Sequence, residues 1–422
     1  MKAEIIAVGS ELLTPDRIDT NSLFLTAELN KLGIEVARKS VVGDHRGDIR
    51  RIFAEGLERA DVVISTGGLG PTEDDLTREV VADLLGRKLE KNQEVLRGIQ
   101  ERFVRFGRKM AEINVRQAMV PAGATILENP RGTAPGLWLE ADGRIVILLP
   151  GPPQEMQPMF ARQVAERLAK RTDGMRLQTR ELRVAGMPES DVDQRIAPIY
   201  TKYDSVQTTI LASPGEIEVH LRAWSDDVQD AGRMLDELAG KIIIELGDNI
   251  FTDKHESLEQ VVADVLKSNQ ATISTAESCT GGLLAERLTR IPGSSIYFLG
   301  GVVSYSNELK TAWAAVPKAM IDAHGAVSAE VAIALADGIR RRVGSTLGVG
   351  ITGVAGPDGG TPEKPVGLVH IAVADGHSPI ERRLQYLGDR ERVRWQASQT
   401  ALDMVRRYFL HGTGKRHGAK NA

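Results

Sequence analysis

The sequence predicts an α/β protein: a doubly wound domain at the N-terminus, a small α+β unit in the middle and a second α/β domain at the C-terminus. Three observations point there. Over 1–170, short apolar runs that stop at glycine alternate with helical patterns, the order that builds a parallel sheet. Over 171–252, strand and helix patterns continue, but no glycine-rich turn of catalytic type appears. From 253 to 412 the sequence of strand, glycine turn and helix returns. The last stretch, 413–422, is a basic, Gly-containing tail expected to be disordered.

The 422 residues suffice for two or three separate cores. A hydrophobic share of 42% with 26% charged residues is that of a soluble globular chain. A net charge of −4 and only 4% aromatics argue against nucleic acid as a partner. One cysteine rules out an internal disulfide and fits a reducing compartment. The start, Met1 to Gly9, is too short and acidic for a signal peptide, and no apolar run approaches the ~20 residues of a membrane span. The expectation is a cytoplasmic protein without a membrane partner.

In order along the chain, Glu4 to Val8 is an apolar strand stopping at Gly9-Ser10. Asp19-Thr20-Asn21 then opens a helix to about Leu32. Strand Glu35 to Val42 and a helix from Asp48 to Arg59 follow. Asp61 to Thr66 reads as a buried strand running into Gly67-Gly68-Leu69-Gly70-Pro71-Thr72-Glu73-Asp74-Asp75, with a helix to Leu85. Ligands of such sheets sit at the carboxyl ends of the strands. Gly67, Gly68 and Gly70 let backbone approach a phosphate, and Asp74 and Asp75 stand where a divalent cation could bridge carboxylate to phosphate. The same stretch satisfies a capping box, with Thr72 as N-cap and Asp75 at N3, so one carboxylate can be structural. Two more loops point to this crevice. Glu128 to Gly136 contains one cation, Arg131; the strand Arg144 to Leu149 ends in Pro150-Gly151-Pro152-Pro153 before a helix near Gln154.

The middle unit reads as strand Glu181 to Val184, helix Glu189 to Tyr200, strand Glu216 to Ala223, helix Asp227 to Ala239 and strand Lys241 to Leu246. It has the outline of a KH module without the Gly-x-x-Gly clamp, which suits a connector or dimerisation unit better than an RNA binder.

In the last domain, Ala271 to Ser274 is a β-branched run that stops at Ala276-Glu277-Ser278-Cys279-Thr280-Gly281-Gly282. A helix follows with Leu283, Leu284, Leu288 and Ile291 on one face. Strand, turn and helix aim backbone N–H groups at one point, where an anion or oxyanion would be stabilised beside Ser278 or Cys279. Thr280 as N-cap, with glycines for close packing, is the plain structural alternative. Ser295 to Tyr305 reads as a long buried strand entering Ser306-Asn307-Glu308-Leu309-Lys310. Strand Thr346 to Ile351 ends in Thr352-Gly353-Val354-Ala355-Gly356-Pro357-Asp358. Strands Val366 to Val373 and Glu381 to Tyr386 and a helix from Arg390 to Tyr408 complete the domain. Tyr305 and Lys310 fall in the same layer as Ser278. A desolvated lysine is an alternative to histidine for activating serine, and none of the eight histidines lies in these loops.

The Gly67–Asp75 loop and the Leu149-Pro150-Gly151-Pro152 turn resemble the molybdopterin-binding fold of the MoaB/MogA group, over about 1–170. That fold also hosts a metal-dependent ADP-ribose pyrophosphatase. The motifs AESCTGG, VSYSNELK and GITGVAGPDGG closely match the CinA family. Its C-terminal domain is similar to the PncC-type nicotinamide mononucleotide deamidases, and the family joins these parts in this order. The resemblance implies hydrolysis of the nicotinamide carboxamide without a cofactor, with Ser278 as nucleophile, Lys310 as base and Tyr305 assisting. It further implies oxyanion or phosphate contacts from Thr280, Gly281 and Gly282, and a nucleotide site lined by Thr352, Gly353 and Gly356. For the N-terminal domain it implies a substrate site at Gly67, Gly68, Gly70, Thr72 and Arg131, and a divalent ion (Mg, Mn or Co) on Asp74 and Asp75. A homodimer is expected, and a fragment from about Thr252 is expected to fold alone. The alternative is a non-catalytic competence partner carrying a molybdopterin-binding module.

Overall fold

Apolar runs in the first 170 residues form eight strands: β1 (Lys2–Val8), β2 (Glu35–Val42), β3 (Val62–Thr66), β4 (Leu89–Lys91), β5 (Met119–Pro121), β6 (Thr125–Leu127), β7 (Gly136–Ala141) and β8 (Arg144–Leu149). Six make one sheet in the order β2-β1-β3-β8-β7-β6; β4 and β5 pair separately. The first four run parallel and the last two antiparallel, so the expected parallel sheet has an antiparallel edge. The cause is local. Asp142 and Gly143 both have positive φ, the requirement of a two-residue hairpin between β7 and β8.

Alternation along the strands feeds two cores. Ile5, Ile64 and Ile147 face one side, with Leu25 and Leu29 of the helix Thr20–Lys31. Ile6, Val63 and Val146 face the other, with Ile49 and Phe53 of Arg46–Arg59 and Val80 of Thr77–Leu84. The sheet is therefore doubly wound. Its strand order reverses beside β1, so the loops after β1, β3 and β8 meet at one rim.

The middle segment adds β9 (Arg176–Ala185), β10 (Gln207–Ser213), β11 (Glu216–Ser225) and β12 (Ile250–Thr252), in the order β10-β11-β9-β12. The strand expected at Lys241–Leu246 is instead the end of a 19-residue helix, Val228–Leu246. Its β-branched run misleads by composition. Leu235, Leu238, Ile242 and Leu246 are buried at helical spacing, while Ile244 is 84% exposed.

The last domain holds β13 (Ile273–Glu277), β14 (Phe298–Val303), β15 (Leu347–Gly353), β16 (Leu368–Ala374) and β17 (Ile380–Gln385), ordered β14-β13-β15-β16-β17. β13 lies parallel to both neighbours; β16 and β17 are antiparallel. β14 is shorter than the expected Ser295–Tyr305 strand, and it is an edge strand with alternate residues exposed. Gly350 on β15 lets the helix Ala329–Val343 approach closely, since a Cβ there would strike the Ala332 carbonyl.

The computed structural model describes residues 1–172 and 174–411; the tail expected at 413–422 lies outside them. Two compact units result: Met1–Gln178 with Ala223–Arg233, and Thr179–Arg222 with the chain from Met234 onward. Within the second unit, the last helix (Arg390–Leu410) is bonded to the middle segment. Trp395 Nε1 donates to the Pro214 carbonyl (3.0 Å), Gln399 Nε2 to Glu216 (3.3 Å) and Arg406 Nη2 to the Asp248 carbonyl (2.6 Å). Among the described residues no helix is long and apolar enough to cross a membrane.

Candidate functional site

The centre of the second unit lies at the end of β13, where the chain leaves the sheet between β14 and β15. Ser304 N–H donates to the Glu277 carbonyl (2.8 Å) and Ser278 N–H to the Ile351 carbonyl (2.9 Å), so both neighbouring strands hold the turn. Ser278 follows, 9% exposed. Lys310, on the helix Asn307–Ala314 that follows β14, is 2% exposed and reaches back to it. Its Nζ contacts Ser278 Oγ at 3.1 Å and donates to the carbonyls of Ser304 (2.9 Å) and Tyr305 (3.1 Å). No carboxylate lies in salt-bridge range of Lys310 among the described residues. Burial therefore holds its pKa below that of an ordinary lysine.

Cys279, the chemical rival, is buried, and desolvation pushes its thiol up to about 12. A thiol protonated at neutral pH is a poor nucleophile. The local environment separates the two candidates clearly.

Two expected donors are engaged elsewhere. Gly281 N–H bonds the Ser278 carbonyl (3.1 Å), and Gly282 N–H bonds the Glu277 carboxylate (3.1 Å). The same carboxylate accepts from Leu284 (3.0 Å) and Ala285 (2.8 Å), capping the helix Leu283–Thr289. Gly281 and Gly282 instead supply positive φ, 62° and 94°, which the tight turn requires. Thr280 is no N-cap: its carbonyl accepts from Arg394 (2.8 Å), and its hydroxyl is buried without a hydrogen-bond partner.

Tyr305 is brought to the rim, but its side chain is 58% exposed. Its phenol oxygen accepts from Arg390 Nη2 (2.9 Å), and only its carbonyl meets Lys310. Arg390 Nη1 also bonds the Gly356 carbonyl (2.9 Å), tying that loop to Tyr305. Thr352 and Gly353 end β15, and the Thr352 hydroxyl donates to the Ala326 carbonyl (2.7 Å). Sequence reasoning missed Glu277 and Arg390. Their only signals were an acid closing an apolar strand and a cation opening the last helix.

In the first unit, the rim of the sheet opens into a cleft of about 720 Å³. Gly67, Gly68, Gly70, Asp74 and Asp75 line it, as do Asn21, Gly151, Arg17 and the acids Glu11, Asp19, Asp44 and Glu155. Thr72 and Arg131 do not. Arg131 is exposed and donates to the Gln154 carbonyl (3.2 Å). The expected capping box is a turn rather than a helix start: Asp75 accepts from Thr72 N–H (2.9 Å) and from its hydroxyl, but the helix begins at Thr77. Asp74 is exposed, and the Thr72 hydroxyl and its own N–H hold its carboxyl below the usual range.

A third cluster, Glu181, Glu218 and His220, groups possible metal ligands in the middle segment. Arg183 already supplies a cation there, 2.6 Å from Glu181 and 3.1 Å from Glu216.

Comparison with known proteins covers all three segments. Residues 4–170 match the family profile described as "Probable molybdopterin binding domain", 179–252 the "Damage-inducible protein CinA KH domain" and 255–409 the "CinA C-terminal domain". A CinA-like protein of Koribacter versatilis is 53% identical over 416 residues, 97% of this chain and 100% of that one. One from Solibacter usitatus is 51% identical over 415 residues, 98% and 99% of the two chains. The crystal structure of the competence/damage inducible protein CihA from Agrobacterium tumefaciens is 37% identical, covering 35% of this chain and 91% of that one with a TM-score of 0.35. With full-length relatives at this identity, the chain belongs to the CinA family.

Proposed function

We propose that the C-terminal domain hydrolyses the carboxamide of nicotinamide mononucleotide to the carboxylate, releasing ammonia, in the cytoplasm. The observation behind this reading is the buried contact between Lys310 Nζ and Ser278 Oγ. A neutral amine has two N–H bonds, and the Ser304 and Tyr305 carbonyls accept two. Its lone pair is then left for the serine proton.

Lys310 takes that proton as Ser278 Oγ bonds to the carboxamide carbon, and the carbonyl electron pair moves onto oxygen. The oxyanion collapses, the C–N bond breaks, and Lys310 returns the proton to the leaving nitrogen. Ammonia departs from a seryl ester. Water then loses a proton to Lys310 and attacks the ester carbon; Ser278 leaves with that proton, and nicotinate mononucleotide is released. The unpartnered Thr280 hydroxyl suits the oxyanion, and Arg390 suits the nucleotide phosphate. Purified protein should release ammonia from nicotinamide mononucleotide without added metal. Silence in that assay would favour the rival, a non-catalytic competence-associated partner.

For the N-terminal cleft the proposal is cleavage of the ADP-ribose pyrophosphate. The cleft is lined by hard carboxylate oxygens, which fit Mg, Mn or Co, and Asp74 and Asp75 would hold the ion. Bound there, a divalent cation neutralises pyrophosphate charge. The matched molybdopterin-binding description favours a second reading, a pterin-binding module. Tight pterin binding without ADP-ribose cleavage would decide for it.

A further inference from the structure

The N-terminal cleft poses an electrostatic problem. A phosphorylated ligand entering it faces six carboxylates, and Arg17 is the single cation among the lining residues. Arg131, the cation expected from sequence, points elsewhere. Behind the glycine loop, however, sits Arg78, 1% exposed. Its Nη1 donates to the Leu69 carbonyl (3.2 Å), while Nε and Nη2 have no hydrogen-bond partner. No carboxylate lies in salt-bridge range of it among the described residues; the adjacent Glu79 is paired with Arg116 (2.8 Å). A buried guanidinium without a counter-charge costs several kcal/mol as a rule, and it persists only where something else needs it.

The loop geometry shows what that need is. The Leu69–Gly70 peptide is trans, so a Leu69 carbonyl drawn inward to Arg78 turns the Gly70 N–H outward. Gly70 lines the cleft. A second unpartnered polar atom lies in the same cleft. Asn21 is 8% exposed and lines the same cleft; its Nδ2 donates to the Gly151 carbonyl (2.7 Å), which leaves its Oδ1 an acceptor without a donor.

We propose that Arg78 is the positioning cation of this cleft: it holds the Leu69 carbonyl inward so that the Gly70 N–H meets a bound phosphoryl group, and its unpaired charge stabilises that group from behind the loop. The inference rests on the reading that the cleft takes a phosphorylated ligand, and it names pyrophosphate-type anions as the class. It also accounts for an acidic cleft holding an anion. A divalent ion would offset the carboxylates at Asp74 and Asp75, while Arg78 acts through the Leu69–Gly70 peptide of the same loop.

The probe is inorganic pyrophosphate with Mg²⁺, titrated calorimetrically into the full-length protein. Arg78→Met should stay folded by circular dichroism and bind at least about tenfold more weakly, the scale of a lost charge-assisted contact. Arg78→Lys keeps the charge and one bond to Leu69, and should recover most of the affinity. Should the Met variant fail to fold, Arg78→Gln replaces it, keeping a donor for Leu69 without the charge. Wild-type affinity in either neutral variant overturns the role of Arg78 and leaves the cleft reading intact. A wild-type protein that binds no pyrophosphate overturns both.

Discussion

The two candidate sites of this chain are built on opposite plans. In the C-terminal domain the reacting groups are buried, few and in contact: Ser278 and Lys310 sit 3.1 Å apart with carbonyls consuming every other lysine valence. In the N-terminal domain the groups are numerous, open to solvent and mostly of one sign. Under the proposed mechanism the first plan would activate a nucleophile through burial and two carbonyl contacts. The second gathers carboxylate oxygens of the kind that divalent cations would suit. On the proposed reading, the difference teaches what each site would import: the first only its substrate, the second a cation as well.

The largest test of that contrast is Ser278→Ala. Deamidation should fall by as much as ~10⁶-fold, the loss seen when a nucleophile–base unit is broken, while ADP-ribose cleavage stays unchanged. Lys310→Arg should fail similarly, since a guanidinium stays protonated. In the wild type, deamidation should rise with pH as the neutral fraction of Lys310 grows. Its midpoint should lie below an ordinary lysine's because burial depresses the pKa. A midpoint at the ordinary value would remove desolvation from the mechanism.

Chelation is the mirror experiment. Chelator should abolish ADP-ribose cleavage, added Mg²⁺ or Mn²⁺ should restore it, and deamidation should not respond. Asp74→Asn should reproduce the loss with an unaltered melting curve, because that side chain is exposed. If both activities follow the metal together, the contrast between the sites collapses.

Smaller effects sharpen the picture. Glu277→Ala strands three N–H groups, one buried and two part-buried, and should cost about 3 kcal/mol by denaturant titration, along with some deamidase activity. Cys279→Ala should leave activity within about twofold, as its high thiol pKa keeps it protonated. A dead cysteine variant beside an active Ser278→Ala would reverse the nucleophile assignment.

Sequence made the strand-to-helix turns legible because glycine, serine and aspartate mark them directly. Both sites lie at such turns, which is why Ser278, Lys310, Gly67 and Asp74 could be located. What stayed hidden depends on direction. The β-branched run Ile242-Ile243-Ile244 looks like a strand until its buried positions are seen to follow helical spacing. Arg131 and Arg78 are equal as residue types, yet one points into solvent and the other lies behind the loop. The glycine amides after Ser278 seemed free for an oxyanion, but no local pattern announces that Glu277 folds back to take one of them. Tyr305 reaches the right rim, with its ring turned to Arg390.

The bonds from the last helix to the middle segment bear on how the protein comes apart on heating. Three family segments lie in the chain, yet Trp395, Gln399 and Arg406 fasten one of them to its neighbour. Elements joined this way open as a single cooperative block. Scanning calorimetry should therefore resolve two endotherms rather than three. A fragment cut at Thr252 loses the Pro214 and Asp248 acceptors, and should melt earlier than one begun at Thr179.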